Sequence, residues 1–273
     1  MLHWLGRRYF RGKGQIVDAG CFLGGSTAAL ADGVAGNSAV RGTRQRIHSY
    51  DTFALDWYAK EVFFADSSLQ IGDSFYDEWL DNVRQHEDLI VVHHGDICMH
   101  PWNGEPVEIL FLDVMKTVEL QTTVTERWLP CLLEEQSIVI QQDYVHEWQP
   151  WIIVSMELLR EFFVPIDYFD YGSAVYLCVR VPPREAIVAA NVATLPLAAQ
   201  LDALERTLMR MPPRYAPVIR MARAKLLIDF GCYGEARDTI ADTLQRWPQD
   251  SRAAQVGPRM LDYADKESVR RGV

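Results

Sequence analysis

The stretch that decides the fold is Val17-Asp18-Ala19-Gly20-Cys21-Phe22-Leu23-Gly24-Gly25-Ser26-Thr27. It stands between Gln15–Asp18, a short apolar run of strand character, and Ser26–Val34, whose spacing predicts a helix. A strand that turns through glycines into a helix is a ligand-binding corner. Glycine lets the backbone approach the ligand closely, and the helix N-terminus presents unpaired N–H groups. Dinucleotide folds use a related turn built on G-x-G-x-x-G to hold a pyrophosphate. Here the glycines stand at 20 and 24, and Phe22 occupies the place of the middle glycine. Asp18, at the strand end, would repel a pyrophosphate and suits a cationic cofactor.

Outward from that corner, short apolar runs alternate with helical stretches, the pattern of a parallel sheet with crossover helices. Further strands are predicted at Arg46–Tyr50, Leu89–Val92, Val107–Leu112 and Ser137–Ile140. Thr117–Leu133 and Trp148–Phe163 have helical length, the second with Trp148, Ile152, Leu159 and Phe163 on one amphipathic face. Val164–Phe169 and Ala174–Val181 complete seven strands, as an antiparallel pair. The segment Ala54–Asp88 is longer than a crossover needs. It carries Trp57, Tyr58, Phe63, Phe64, Phe75, Tyr76 and Trp79 among acidic residues. It reads either as one or two helices packed on the sheet or as a lid over a substrate.

Pro182-Pro183 ends the sheet, so the expected domains are residues 1–183 and a helical appendage at 184–273. Within the appendage, Met211–Phe230 supplies one helix, Gly231 a turn, and Ala236, Ile240 and Leu244 a second helix stopped by Pro248. This hairpin, about 211–249, resembles the second half of a tetratricopeptide repeat. One unit is too few for a free solenoid. It is expected to dock on the sheet domain or to form a homodimer contact.

The formal net charge of -10 argues against binding nucleic acid or an anionic membrane, both of which need a basic surface. The five cysteines are widely spaced with no CxxC pair, so neither a disulfide framework nor a zinc site organises the chain. The N-terminus lacks the apolar run of a signal peptide, and no stretch reaches the length of a membrane span. The expectation is a reduced, cytoplasmic protein.

Four landmarks follow one another in order: Asp18 to Gly24, Ser49-Tyr50-Asp51-Thr52-Phe53, Gly95-Asp96-Ile97 and Phe111-Leu112-Asp113. Over about residues 14 to 181 the chain resembles class I S-adenosylmethionine-dependent methyltransferases. Cys21-Phe-Leu-Gly-Gly-Ser-Thr27 looks most like the macrocin O-methyltransferase group. The resemblance implies a Rossmann-like α/β fold with a seven-stranded sheet, and S-adenosylmethionine as cofactor. It implies that Asp18, Gly20, Phe22, Leu23, Gly24 and Ser26 line the cofactor turn and that Asp51 and Thr52 face the ribose. Asp96 and Ile97 would then hold the adenine, and Asp113 would lie beside the transferable methyl. Asp51 suits its part because a carboxylate is a bidentate acceptor for two hydroxyls.

Leu112-Asp113-Val114-Met115-Lys116 also resembles the D-x-x-K element of magnesium-dependent O-methyltransferases. There the aspartate binds Mg²⁺ and the lysine is the general base. That resemblance implies metal ligands at Asp113, Gln142 and Asp143, with Gln142 standing where the family has an aspartate. His146 is the rival base, since an imidazole titrates near neutral pH and Asp143 or Glu147 can orient it. O-methylation of a small-molecule or sugar hydroxyl is the expectation. N-methylation on the same fold, or a non-catalytic module that positions partners, are the alternatives. An oxidoreductase is disfavoured by Phe22 and Asp18.

Overall fold

The computed structural model describes residues 1–169 and 172–272. Seven strands form one sheet: β1 (Gln15–Ala19), β2 (Ile47–Asp51), β3 (Ile90–His94), β4 (Val107–Leu112), β5 (Ile138–Gln141), β6 (Phe163–Tyr168) and β7 (Ala174–Cys178). Their order is β3-β2-β1-β4-β5-β7-β6. β1 runs parallel to both β2 and β4, with Asp18 opposite Ser49 on one side and Phe111 on the other. Both strands are buried along their whole length, which is why they read as unbroken apolar runs rather than as alternation. β6 and β7 are joined within residues 169–173, and a connection that short requires antiparallel strands. β6 is an edge strand with Val164 and Ile166 exposed, and so tolerates Pro165.

The chain divides into two compact units, residues 1–114, 127–140 and 177–181, and residues 115–126, 141–176 and 182–273. The second unit reaches back across Pro183 to take in residues that precede it.

In the first unit, α1 (Leu2–Trp4) leads through a wide turn at Leu5–Tyr9 into β1, and α2 (Gly25–Ala35) follows the glycine corner. The long aromatic segment forms two helices, α3 (Trp57–Val62) and α4 (Tyr76–Val83), with a 3-10 stretch at Arg84–Leu89. Phe53, Leu55, Phe64, Phe75, Trp79 and Val83 make a core there with Cys21.

The second unit carries α5 (Val118–Trp128) up to Glu126, then α6 (Pro150–Leu158) and the C-terminal helices. Those are α7 (Arg184–Ala189), α8 (Leu197–Arg210), α9 (Ala216–Asp229), α10 (Tyr233–Arg246) and α11 (Ser251–Arg270). The helix expected over Trp148–Phe163 is shorter. Pro150 starts it, Trp148 precedes it, and Phe163 already belongs to β6. Nor is it amphipathic, because every residue from Ile152 to Glu157 is buried. Similarly, the first hairpin helix starts at Ala216 rather than at Met211, since Pro212 leads into a separate 3-10 turn, Pro213–Tyr215. Gly231, at φ +80°, makes the predicted turn. α11 closes over the hairpin, its Val256, Met260 and Ala264 packing with Leu227, Ala236 and Ile240.

Candidate functional site

Three backbone positions define the corner after β1. Gly20 and Gly24 both have φ +87°, and Phe22 has φ +44°. At Gly20 a Cβ would stand 2.5 Å from the carbonyl oxygen of Asp113, so only glycine lets β1 leave the sheet this close to the end of β4. The N–H groups of Gly20 and Cys21 both donate to the Tyr50 carbonyl at 2.8 and 3.2 Å, and Gly24 N–H closes the turn onto Cys21 O at 2.7 Å. A left-handed phenylalanine is costly and must be held by its surroundings. Phe22 is held at both ends. Its N–H donates to Asp51 Oδ2 at 2.9 Å, and its ring lies edge-on to Phe63 and Phe75 at 5.1 and 5.3 Å.

Asp51 does this for two residues at once. Its Oδ1 accepts from the N–H of Phe53, at 2.9 Å, which is itself left-handed at φ +52°. Burial pushes the Asp51 carboxyl above the usual carboxylate range, while the N–H groups of Phe53 and Phe22 pull it back. Thr52 is exposed beside it, and its hydroxyl accepts from Ala54 N–H at 3.4 Å. The Leu23 carbonyl accepts from Asn82 at 2.9 Å.

Asp18 is fully buried. Ser26 Oγ donates to its two oxygens at 3.0 and 2.9 Å, and Thr27 Oγ1 to Oδ2 at 2.5 Å. The carboxyl is therefore spent on bracing the start of α2 rather than aimed at a cationic group. Burial, opposed by those two hydroxyls, raises its pKa to about 7.

Asp96 caps a short 3-10 turn, Ile97–Met99, by accepting from Cys98 N–H at 2.9 Å, and Ile97 is buried. Arg127 fastens that turn, donating to the carbonyls of Ile97 and Cys98 at 2.6 and 3.2 Å. No sequence pattern marks Arg127, which stands far from the turn it holds. Asp113 N–H donates to Ala19 O at 2.8 Å, so the ends of β1 and β4 are joined at the corner. His93 is half-buried on the edge strand β3 and stacks on Tyr50 with ring centroids 4.0 Å apart. Burial lowers its pKa to about 4, with His48 and His100 adding to the effect.

The second unit holds a separate polar group. Lys116 and Asp143 form an ion pair, with Asp143 left-handed at φ +56°. Gln142 Oε1 accepts from Ser173 Oγ at 2.5 Å. Trp151 Nε1 donates to the Met115 carbonyl at 2.9 Å, anchoring the residue before Lys116. His146 Nδ1 accepts from the Trp148 N–H at 3.2 Å, so in the neutral ring Nε2 carries the proton. Burial lowers the His146 pKa most. Glu147 and Asp143 raise it, and Arg252 and Lys116 lower it further. Glu147 is buried and accepts from Arg252 Nε, in α11, at 2.9 Å. Sequence reading missed this last pair, for which the only hint is an acid among apolar neighbours. Among the described residues no group of three or more His, Cys, Asp or Glu side chains is placed to hold a metal ion.

No helix among the described residues is long and apolar enough to cross a membrane. No family model matches the chain, and no curated protein does. Among solved structures it aligns with one described as the pyocyanin biosynthetic protein PhzM, at 13% identity and a TM-score of 0.37. The alignment covers 66% of this chain and 54% of the other, so the chain spans about half of that protein's length. A likeness this remote decides neither fold nor activity.

Proposed function

We propose that the protein transfers a methyl group from S-adenosylmethionine to a small-molecule acceptor, with a hydroxyl oxygen as the expected nucleophile. One observation carries this reading. The strand order reverses between β1 and β4, where an open α/β sheet binds its ligand, and the chain there is shaped into a tight, doubly pinned turn. A seven-stranded sheet is also what the resemblance to class I methyltransferases implies.

The residues of the corner fit that cofactor. The Asp51 carboxylate, with one oxygen on the Phe22 N–H and the other on the Phe53 N–H, is the group that would accept the ribose hydroxyls. The first N–H groups of α2 suit the methionyl carboxylate, and a Cβ at Gly25 would meet nothing within 4 Å, so the helix start is open. Asp96 and Ile97 would take the adenine. When bound, the cofactor supplies a methyl already activated by its sulfonium. The protein's part is then alignment and proton handling.

For proton handling the polar group of the second unit sorts into roles. Lys116 Nζ donates to Asp143, so the lysine is engaged there as a hydrogen-bond donor. His146 presents a donor at Nε2. We assign proton acceptance to Asp143, its orientation to Lys116, and a hydrogen bond to the acceptor to His146. Magnesium does not fit the donors: among the described residues no group of three or more His, Cys, Asp or Glu side chains is placed to hold it, and Gln142 brings an amide where the resemblance implies a carboxylate. No step is routed through a metal.

Incubation with methyl-labelled S-adenosylmethionine, EDTA and a panel of hydroxyl and amine acceptors tests the reading. Label should enter a hydroxyl acceptor, with the rate falling about 10²-fold in Asp143→Asn. Cofactor binding without transfer to any acceptor would reduce the protein to a binding module.

A further inference from the structure

We propose that the acceptor is a cation, an amine-bearing small molecule whose ammonium group seats on Trp57, Tyr58 and Phe63 beside Glu61 and Asp66. The proposal rests on the corner after β1 being the cofactor site.

The aromatic segment between β2 and β3 has two faces. Phe64, Phe75 and Trp79 are buried, whereas Trp57 is 64% exposed, Tyr58 53% and Phe63 56%. Large exposed aromatics grouped on one short helix and its exit mark a binding surface rather than a core. The rings stand nearly at right angles, 79° between Trp57 and Tyr58 and 73° between Tyr58 and Phe63, with centroids 5.9 and 6.4 Å apart. Edge-to-face pairs leave ring faces open to a ligand. The series then continues into Phe22, 5.1 Å from Phe63, so the exposed rings run without a break to the cofactor turn. A surface that ends on that turn suits a molecule about to react there.

Charge selects the ligand. Residues 54–88 contain nine carboxylates against two cations, Lys60 and Arg84. The two cations offset only part of that charge. Lys60 Nζ is turned back onto the carbonyls of Phe64 and Ser67 at 2.9 and 2.8 Å, and Arg84 pairs with Asp81. Asp56 is used as the cap of α3 and Asp73 holds Gln70 N–H, which leaves Glu61 and Asp66 exposed on the stretch that carries the rings. Open ring faces on a stretch that also carries exposed carboxylates attract ammonium ions and repel carboxylates. The same charge disfavours an anionic lipid surface.

The experiment compares phenethylamine with 3-phenylpropionate, close in size and opposite in charge, by calorimetry against the full chain. The amine should bind at least about tenfold more tightly, and added salt should weaken it. Trp57→Ala should abolish the preference while S-adenosylmethionine binding is retained, which shows the corner still folded. Glu61→Gln with Asp66→Asn should reduce the preference severalfold. Equal binding of the two probes, binding of neither, or a preference that survives Trp57→Ala overturns the proposal. Loss of cofactor binding in the wild type with the amine preference intact would instead count against the proposed function alone.

Discussion

The corner after β1 and the polar group after β5 both hold acids near a strand end, yet they are built by different forces. At the corner, Asp18 and Asp51 are satisfied by hydroxyls and backbone N–H groups from nearby segments. None of those partners is charged. After β5, the acids Asp143 and Glu147 are each met by a cation from another part of the chain, Lys116 and Arg252. Hydrogen bonds to neutral groups fix geometry and ignore salt, whereas partly exposed ion pairs weaken with ionic strength. The first region is thus a rigid mould, and the second is held by charge.

The largest effect that would break this contrast belongs to Gly20→Ala. The added methyl meets the Asp113 carbonyl and the backbone sits at positive φ, so cofactor affinity should fall by more than about 100-fold or the fold should fail. Thermal melting and calorimetry report the two outcomes, and near-wild-type behaviour in both would refute the close-approach argument.

Next in size is Asp143→Asn, whose expected 10²-fold loss of turnover should leave cofactor affinity unchanged. A matching loss of affinity would mean that the two regions are not separate in function.

Arg252→Met comes third. Removing the cation leaves Glu147 buried without its partner, which costs about 1–3 kcal/mol. Turnover should drop severalfold and become less sensitive to salt than in the wild type. Unchanged turnover at every salt concentration would remove the tail helix from the account.

The smallest effect concerns pH. Burial raises the Asp18 pKa from the ordinary 3.8 to about 7, so the folded chain binds this proton more tightly than the unfolded one. Stability from this group therefore falls as pH rises from about 4 through 7. Asp18→Asn should raise the melting temperature relative to wild type at pH 8, and the gap should close as pH falls toward 4. A pH-independent gap would contradict the buried charge.

The same contrast explains what the sequence disclosed. The corner was legible because its contacts are short in sequence: glycines at 20 and 24, hydroxyls at 26 and 27, and an acid at the end of the next strand. Buried strands read as apolar runs for the same local reason. The left-handed turns at Phe22 and Phe53 were not legible, because phenylalanine carries no preference for them and only the Asp51 carboxylate explains their cost. The burial of Asp18 was not legible either, because it depends on the whole sheet rather than on the residues beside it. Arg252 and Glu147 lie 105 residues apart, and no pattern in either segment announces the other. The helix boundaries at Pro150 and Ala216 moved because proline, not hydrophobic spacing, set where each helix could start.

Calorimetric titration with S-adenosylmethionine, for the wild type and for Asp51→Ala, tests the central claim most directly. The wild type should bind, and Asp51→Ala should bind at least about tenfold more weakly, having lost both the ribose acceptor and the pin on Phe22 and Phe53. No binding by the wild type, or equal binding by the variant, would contradict it.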